Sequence, residues 1–439
     1  MCFFVAPVAK SDIMKTNIIW LRRDLRLNDN TALFQATKQK HPVQLIFIFD
    51  TDILNELPID DARVTFIYEA LNRIHKSLRQ QGSSLKVYKG SPLEVWKKII
   101  NEFSVNEVFI NEDYEPYGVK RDELIKKFLQ DQSIRLSSFT DHVLLKPGEV
   151  LKSDGSIYTV FTPFKRKWLD VFGQKSAPDV HTSPEISFIQ SDYQFPTMEA
   201  LEFKPSRIKV PEIMYGNIAE YDKYRDLPGM NKTSRTGPHL RFGTISIREL
   251  LKTANTNEVY LSELIWREFF IHILYFNPHV VSQNFKPKYD HIQWENNEEL
   301  FEQWCRGKTG FPLVDAGMRE LNETGFMHNR VRMITASFLC KQLLIDWRWG
   351  EAYFAQKLLD YELASNNGNW QWVAGTGCDA APYFRIFNPI TQASKFDPKK
   401  IYIKNWIPEY DTSDYPEPII ELSAARERTL MAYKKALNA

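Results

Sequence analysis

Cysteine is scarce in this chain, and the four present stand far apart. Cys2, Cys305, Cys340 and Cys378 form no C-x-x-C pair and no Cys/His cluster. That argues against a structural metal site or a disulfide framework and fits a reducing cytoplasm. Glycine is missing altogether from Thr16 to Asp50, so no G-x-G-x-x-G loop can follow the first predicted strand. Arg22, Arg23 and Arg26 stand there instead, which makes that region a poor dinucleotide site. No apolar run approaches the roughly 20 residues of a membrane helix. The first thirteen residues have neither the positive start nor the cleavage pattern of a signal peptide. Strand-like sequence begins only after Met14, so residues 1–13 read as an extension or an alternative start. A charge signal is lacking too: with a net charge of +1, a polyanionic partner has to be met by a local positive field.

A chain of 439 residues is long enough for two or three domains. Short apolar runs at 17–21, 43–49, 85–88 and 105–110 read as strands buried on both faces, and a further strand is read near 134–139. Helical patterns at 62–80, 92–103 and 121–130 alternate with them. The expectation for residues 14–140 is an α/β domain, a doubly wound parallel sheet of five strands. From 141 to 206 the periodicity dissolves into Pro, Ser and Asp, apart from 156–164, and the stretch reads as a connector between domains. Residues 207–439 are helical almost throughout, most clearly at 259–275, 312–323, 329–344 and 351–363, so the second domain is all-α.

Three segments carry chemistry. In Thr233-Ser234-Arg235-Thr236-Gly237-Pro238, small hydroxyl residues with Arg and Gly stand ahead of a helix, suiting a phosphate as well as a capped helix start. Glu263, Trp266, Arg267 and Phe270 fall at i, i+3, i+4 and i+7 and share one helix face. Such a mixed face suits a cavity wall that stacks a ring and bonds its edge, or a core edge with a buried ion pair. The third is Asn366-Asn367-Gly368-Asn369-Trp370-Gln371-Trp372, read as an Asn/Gly turn followed by two tryptophans.

Taken with Trp20-Leu21-Arg22-Arg23-Asp24-Leu25-Arg26, Thr309-Gly310-Phe311-Pro312 and Met327-His328-Asn329-Arg330, these motifs resemble the photolyase/cryptochrome family over nearly the whole chain. The resemblance implies FAD bound in the helical domain, reduced in the active form. Thr233, Ser234 and Arg235 would hold its pyrophosphate, with Thr236, Gly237 and Tyr221 nearby. Asp360 would serve the flavin or its ribityl chain and pair with Arg332; Asn366 would face flavin N5; Glu263, Arg267 and Glu362 would complete the pocket. Glu362 stands where relatives commonly have Asp, and Thr236-Gly237 where Leu-Ser is usual.

Within the family the resemblance runs to class I cyclobutane pyrimidine dimer photolyases, on Glu263, Trp266, Asn329, Met333 and Trp372. It implies light-dependent repair of UV-damaged DNA by a cytoplasmic monomer. Trp266 and Trp372 would sandwich the flipped dimer, and Glu263 and Asn329 would bond its carbonyl edge. Arg225, Arg330, Arg385 and Lys395 would meet phosphates, with Trp266 also at the DNA. Trp370, Trp347 and Trp294 would relay electrons to the flavin. A second, antenna chromophore is left open: at Tyr114-Glu115-Pro116-Tyr117-Gly118 a Tyr and a Gly stand where folate-binding members carry an acidic residue. That speaks against folate and leaves a deazaflavin, a flavin or an empty site. The alternative is a cryptochrome, a blue-light receptor without lyase activity. Cryptochromes often extend past the shared domain, whereas this chain ends about ten residues beyond Thr429.

Overall fold

The structure, a computed structural model, describes residues 14–175 and 186–438; the extension at 1–13 lies outside them. The chain divides into two compact units. One comprises Met1–Leu144, Asp179–Ser206 and Phe242–Glu249, the other Leu145–Pro178, Arg207–Arg241 and Leu250–Ala439.

In the first unit five strands, β1 (Thr16–Leu21), β2 (Val43–Asp50), β3 (Lys86–Gly90), β4 (Val105–Asn111) and β5 (Arg135–Phe139), form a parallel sheet in the order β3-β2-β1-β4-β5. Every residue of β1 and β2 is buried, which is why these strands read as continuous apolar runs rather than alternations. The connecting helices are α1 (Thr31–Thr37), α2 (Ala62–Arg79), α3 (Pro92–Glu102) and α4 (Pro116–Asp131). Asn30 and Asp61 cap the first two through their side chains, and Pro opens the other two. Trp20 of β1 meets Trp96 of α3 edge to face at 5.5 Å. The strand order reverses between β1 and β4, the usual ligand crevice of such sheets. There the three arginines are already committed, Arg22 to Asp122 at 2.6 Å, Arg23 to Asp113 at 3.1 Å and Arg26 to Asp141 at 2.6 Å.

The second unit is helical: α5 (Phe161–Gln174), α6 (Glu258–Phe276), α7 (Glu298–Arg306), α8 (Pro312–Thr324), α9 (Asn329–Ser337), α10 (Trp347–Lys357), α11 (Leu363–Ala374), α12 (Pro389–Phe396) and α13 (Leu422–Asn438) are its main elements. Its core gathers Trp304, Met318, Val331, Leu339, Trp347 and Trp370.

Three local expectations are corrected here. The stretch read as aperiodic contains α5, whose Phe161, Phe164 and Trp168 are buried, with the Trp168 indole N–H donating to Glu268 at 2.6 Å. The helix expected over 329–344 gives way after Ser337 to a π-helical turn, Phe338–Gln342. The expected Asn/Gly turn at 366–369 is helical, inside α11. Asn and Gly are poor helix formers, but tertiary contacts override propensity. Asn367 and Gln371 both donate to the Val280 carbonyl, at 2.9 and 3.0 Å. Gly368 lies so near the Phe270 ring of α6 that a Cβ there would be 2.2 Å from it. The glycine serves close helix packing, not a turn.

Candidate active site

The facing sides of α9, α10 and α11, with the turn between the last two, line a cavity of about 90 Å³. Asn329, Arg332 and Met333 line it from α9, Asp360 and Glu362 from the turn, and Asn366, Asn369 and Trp370 from α11. Ala336, Phe354, Leu358 and Val373 give it an apolar floor.

Its polar atoms are incompletely satisfied. Arg332 donates to Asp360 Oδ2 at 2.9 Å, while Asp360 Oδ1 is buried with no protein partner. Thr233 Oγ1, in the neighbouring cleft, is likewise buried and alone. An orphaned buried acceptor and an orphaned hydroxyl ask for a ligand that donates to one and bonds the other. A ribityl hydroxyl and a phosphate do so, and on that test these residues fit FAD. Around them, Thr236 Oγ1 exchanges hydrogen bonds with Ser234 Oγ at 3.0 Å and the Tyr260 hydroxyl at 2.8 Å. Tyr221 packs edge to face on Tyr260 at 5.1 Å. At the departure Gly237, a Cβ would sit 2.8 Å from Asp360 Oδ2, so a Ser there would require the Asp360 side chain to shift. At the other departure, Glu362 accepts from Arg267 at 2.8 Å and from Ser365 at 3.1 Å. Arg235 lines the same cleft as Thr233, with Asn231, Phe326 and Trp406; its guanidinium lies 3.6 Å from the Phe326 ring centre.

Nothing in the sequence marks Glu351, yet it sets Asn366. The Asn366 amide nitrogen donates to the Glu351 carbonyl at 3.1 Å and to its Oε1 at 2.8 Å, leaving Oδ1 as the free pole of the side chain. Burial pushes the Glu351 carboxyl up, and the Asn366 bond draws it back.

Glu263, Trp266 and Trp372 are not among the residues lining this cavity. Glu263 pairs with Arg225 at 2.7 Å. Burial holds its carboxyl above the ordinary range, and Arg225 opposes it. Trp266 stacks on Phe161 with ring centres 3.6 Å apart and planes 7° apart. Trp370 and Trp372, two apart on α11, point to different sides: Trp370 is buried against Phe354 at 5.0 Å and Trp304 at 6.2 Å, while Trp372 is half-buried. Trp347 is buried, its indole N–H on Asn284 at 2.9 Å, and Trp294 packs against the same core.

The four expected phosphate contacts differ in their commitments. Arg225 is held by Glu263 and Arg330 by Asp226 at 2.6 Å. Arg385 and Lys395 are exposed and make no ion pair among the described residues. The Phe396 ring carries both Arg330, at 4.4 Å, and Lys395, at 5.1 Å.

Two family patterns match the chain, DNA photolyase over residues 17–185 and the FAD binding domain of DNA photolyase over residues 260–414. A deoxyribodipyrimidine photo-lyase from Vibrio cholerae is 35% identical, over 95% of this chain and 99% of that protein. Among solved structures, a bacterial class III photolyase from Agrobacterium tumefaciens superposes with a TM-score of 0.85 at 32% identity, covering 99% of this chain and 100% of that one. An archaeal photolyase from Sulfolobus tokodaii, solved with two FAD molecules, superposes with a TM-score of 0.83 at 36% identity, covering 96% and 100%.

Proposed function

Because the chain belongs to the DNA photolyase family and carries its FAD-binding domain, we propose that it repairs cyclobutane pyrimidine dimers in UV-damaged DNA, in light, in the manner of the class I enzymes. The observation that carries this is the sharing of one cavity: Asp360, Arg332 and Asn366, which suit a flavin, line it together with Asn329 and Met333, which suit the dimer. The class I reading, rather than the class III of the Agrobacterium neighbour, rests on those two residues with Glu263, Trp266 and Trp372.

Reduced FAD, when bound, supplies the electron that light drives into the dimer and that returns once the ring has opened. The protein's part is placement. Asp360 Oδ1 and Thr233 Oγ1 are the atoms that would take the ribityl chain and phosphate. Asn366 turns an acceptor to the cavity because Glu351 holds its amide nitrogen; an acceptor there suits the N–H that a reduced flavin presents. The apolar floor excludes water, which strengthens each polar contact. Photolyases as a class act on a nucleotide taken out of the duplex. Trp372 and Trp266 would stack it, each contact worth on the order of 1–3 kcal/mol. Asn329, exposed at the first turn of α9, would bond the base edge.

The test is direct. The purified, reduced protein is irradiated with DNA bearing thymine dimers, and dimer loss is measured against a dark control. Light-dependent loss is expected; none would favour the cryptochrome reading. We expect a monomer in the cytoplasm; no helix among the described residues is long and apolar enough to cross a membrane. Chromophores released on denaturation will show whether a deazaflavin or second flavin accompanies FAD.

A further inference from the structure

One buried cation of the second unit has no part in the chemistry above. Lys341 is 1% exposed and has no acid partner among the described residues. Its ammonium donates to the Tyr383 carbonyl at 3.0 Å and lies 4.1 Å from the centre of the Tyr433 ring. Lysine is almost never fully buried unless paired, and burial here pushes its pKa down to about 7. A methionine would fill the same space without that desolvation cost, so packing alone does not account for the residue.

Its neighbour Gln342 is buried as well and donates to the Phe387 carbonyl at 2.6 Å. The two side chains leave the π-helical turn of Phe338–Gln342, a local geometry enriched at functional positions. The turn is itself anchored, since Thr429 and Arg428 of α13 donate to the carbonyls of Lys341 and Gln342. The carbonyls gripped by Lys341 and Gln342 lie two residues before and two residues after Arg385. Between them the backbone closes through Arg385 N–H to the Pro382 carbonyl at 2.8 Å, and Phe384 beside it is 59% exposed. The segment is held from behind at two points, with its arginine facing out.

We propose that Lys341 and Gln342 are positioning residues that hold residues 383–387 in the shape that presents Arg385 to a DNA phosphate. The proposal rests on the functional reading above, in which Arg385 meets the DNA backbone. It adds that the contact is built from inside the helical unit by two buried donors that touch neither flavin nor DNA.

A double-mutant cycle tests it on the flavin-loaded, reduced protein, using a labelled duplex with one thymine dimer bound in the dark at several salt concentrations. Lys341→Met should melt at the parent's temperature or above it, keep its flavin, and repair saturating DNA with the parent's quantum yield. Its binding should weaken as much as that of Arg385→Ala, with the salt slope lower by about 1 in each, the mark of one lost phosphate contact. The double variant should bind no more weakly than Arg385→Ala alone. Parent-like binding by Lys341→Met beside a weakened Arg385→Ala overturns the positioning role, as do single losses that simply add. Parent-like binding by Arg385→Ala would instead remove Arg385 from the interface, failing the functional reading at that residue and the proposal with it. Should Lys341→Met not fold, Gln342→Leu releases the other anchor and enters the same cycle with the same outcomes.

Discussion

At Glu263 two forces act on one proton, and their balance sets what the residue can do. Burial on the face of α6 holds the proton on; Arg225 at 2.7 Å pulls it off, and burial is the larger effect. A protonated carboxyl can donate a hydrogen bond to a base carbonyl that gains negative charge, which a carboxylate cannot. Since the carboxyl titrates above the ordinary range, the donor is present at low pH and lost as pH rises through that raised value. Repair quantum yield on saturating DNA should therefore fall with rising pH. Glu263→Gln, which carries an N–H donor at every pH, should flatten that profile, and Glu263→Ala should lose most of the yield throughout. A yield unchanged in the alanine variant would end this role. At this scale the sequence was legible where a side chain's type announces its task. Glu263, Trp266 and Arg267 stood out because ionic groups and a large ring shared a helix face. Glu351 did not, because an acid on an amphipathic helix looks like any solvated charge until the fold brings Asn366 to it. Nor could spacing show that Arg225 and Glu263 would pair.

Among the elements, β1 and β2 were legible because burial on both faces makes them continuous apolar runs, and the helices of the first unit because capping residues and prolines act locally. The helix α11 was not. Its Asn-Asn-Gly-Asn run carries turn chemistry, and only contacts distant in sequence, the Val280 carbonyl and the Phe270 ring, make it helical. The same holds for the π-helical turn, whose bonding is completed by α13 some ninety residues on. Gly368 allows a sharp check. Gly→Ala within an exposed helix stabilises by about 1 kcal/mol. Here the added methyl would lie 2.2 Å from the Phe270 ring, and overpacking a core costs about 1–3 kcal/mol. Because Phe270 is buried and stacked on Trp266 at 5.5 Å, it has little room to yield, and the clash should win. Gly368→Ala should melt below the parent and release flavin at a lower temperature, as read by flavin fluorescence on heating. A variant melting above the parent would show that α6 and α11 can part at no cost.

For the molecule as a whole, a net charge of +1 gave no sign of a DNA partner, because composition sums charges that the fold separates. Of the four cations proposed to meet phosphates, two are already engaged, Arg225 with Glu263 and Arg330 with Asp226, and two make no ion pair among the described residues. A phosphate that recruits Arg330 has to compete with Asp226, and the carboxylate it leaves gathers a counterion from solution. Part of the gain from releasing the counterions of DNA is thereby given back. Replacing Asp226 leaves Arg330, 19% exposed at its side chain, without its acid partner. Asp226→Asn should therefore bind dimer-containing duplex more tightly than the parent at low salt, with a slope of log K against log salt steeper by up to about 1. The gain should fade as salt rises. Arg330 also rests on the Phe396 ring at 4.4 Å, so it keeps one support when Asp226 is neutralised. If Asp226→Asn binds more weakly instead, the carboxylate aims Arg330 at its phosphate rather than holding it back, and charge on this face is arranged for direction at the expense of strength.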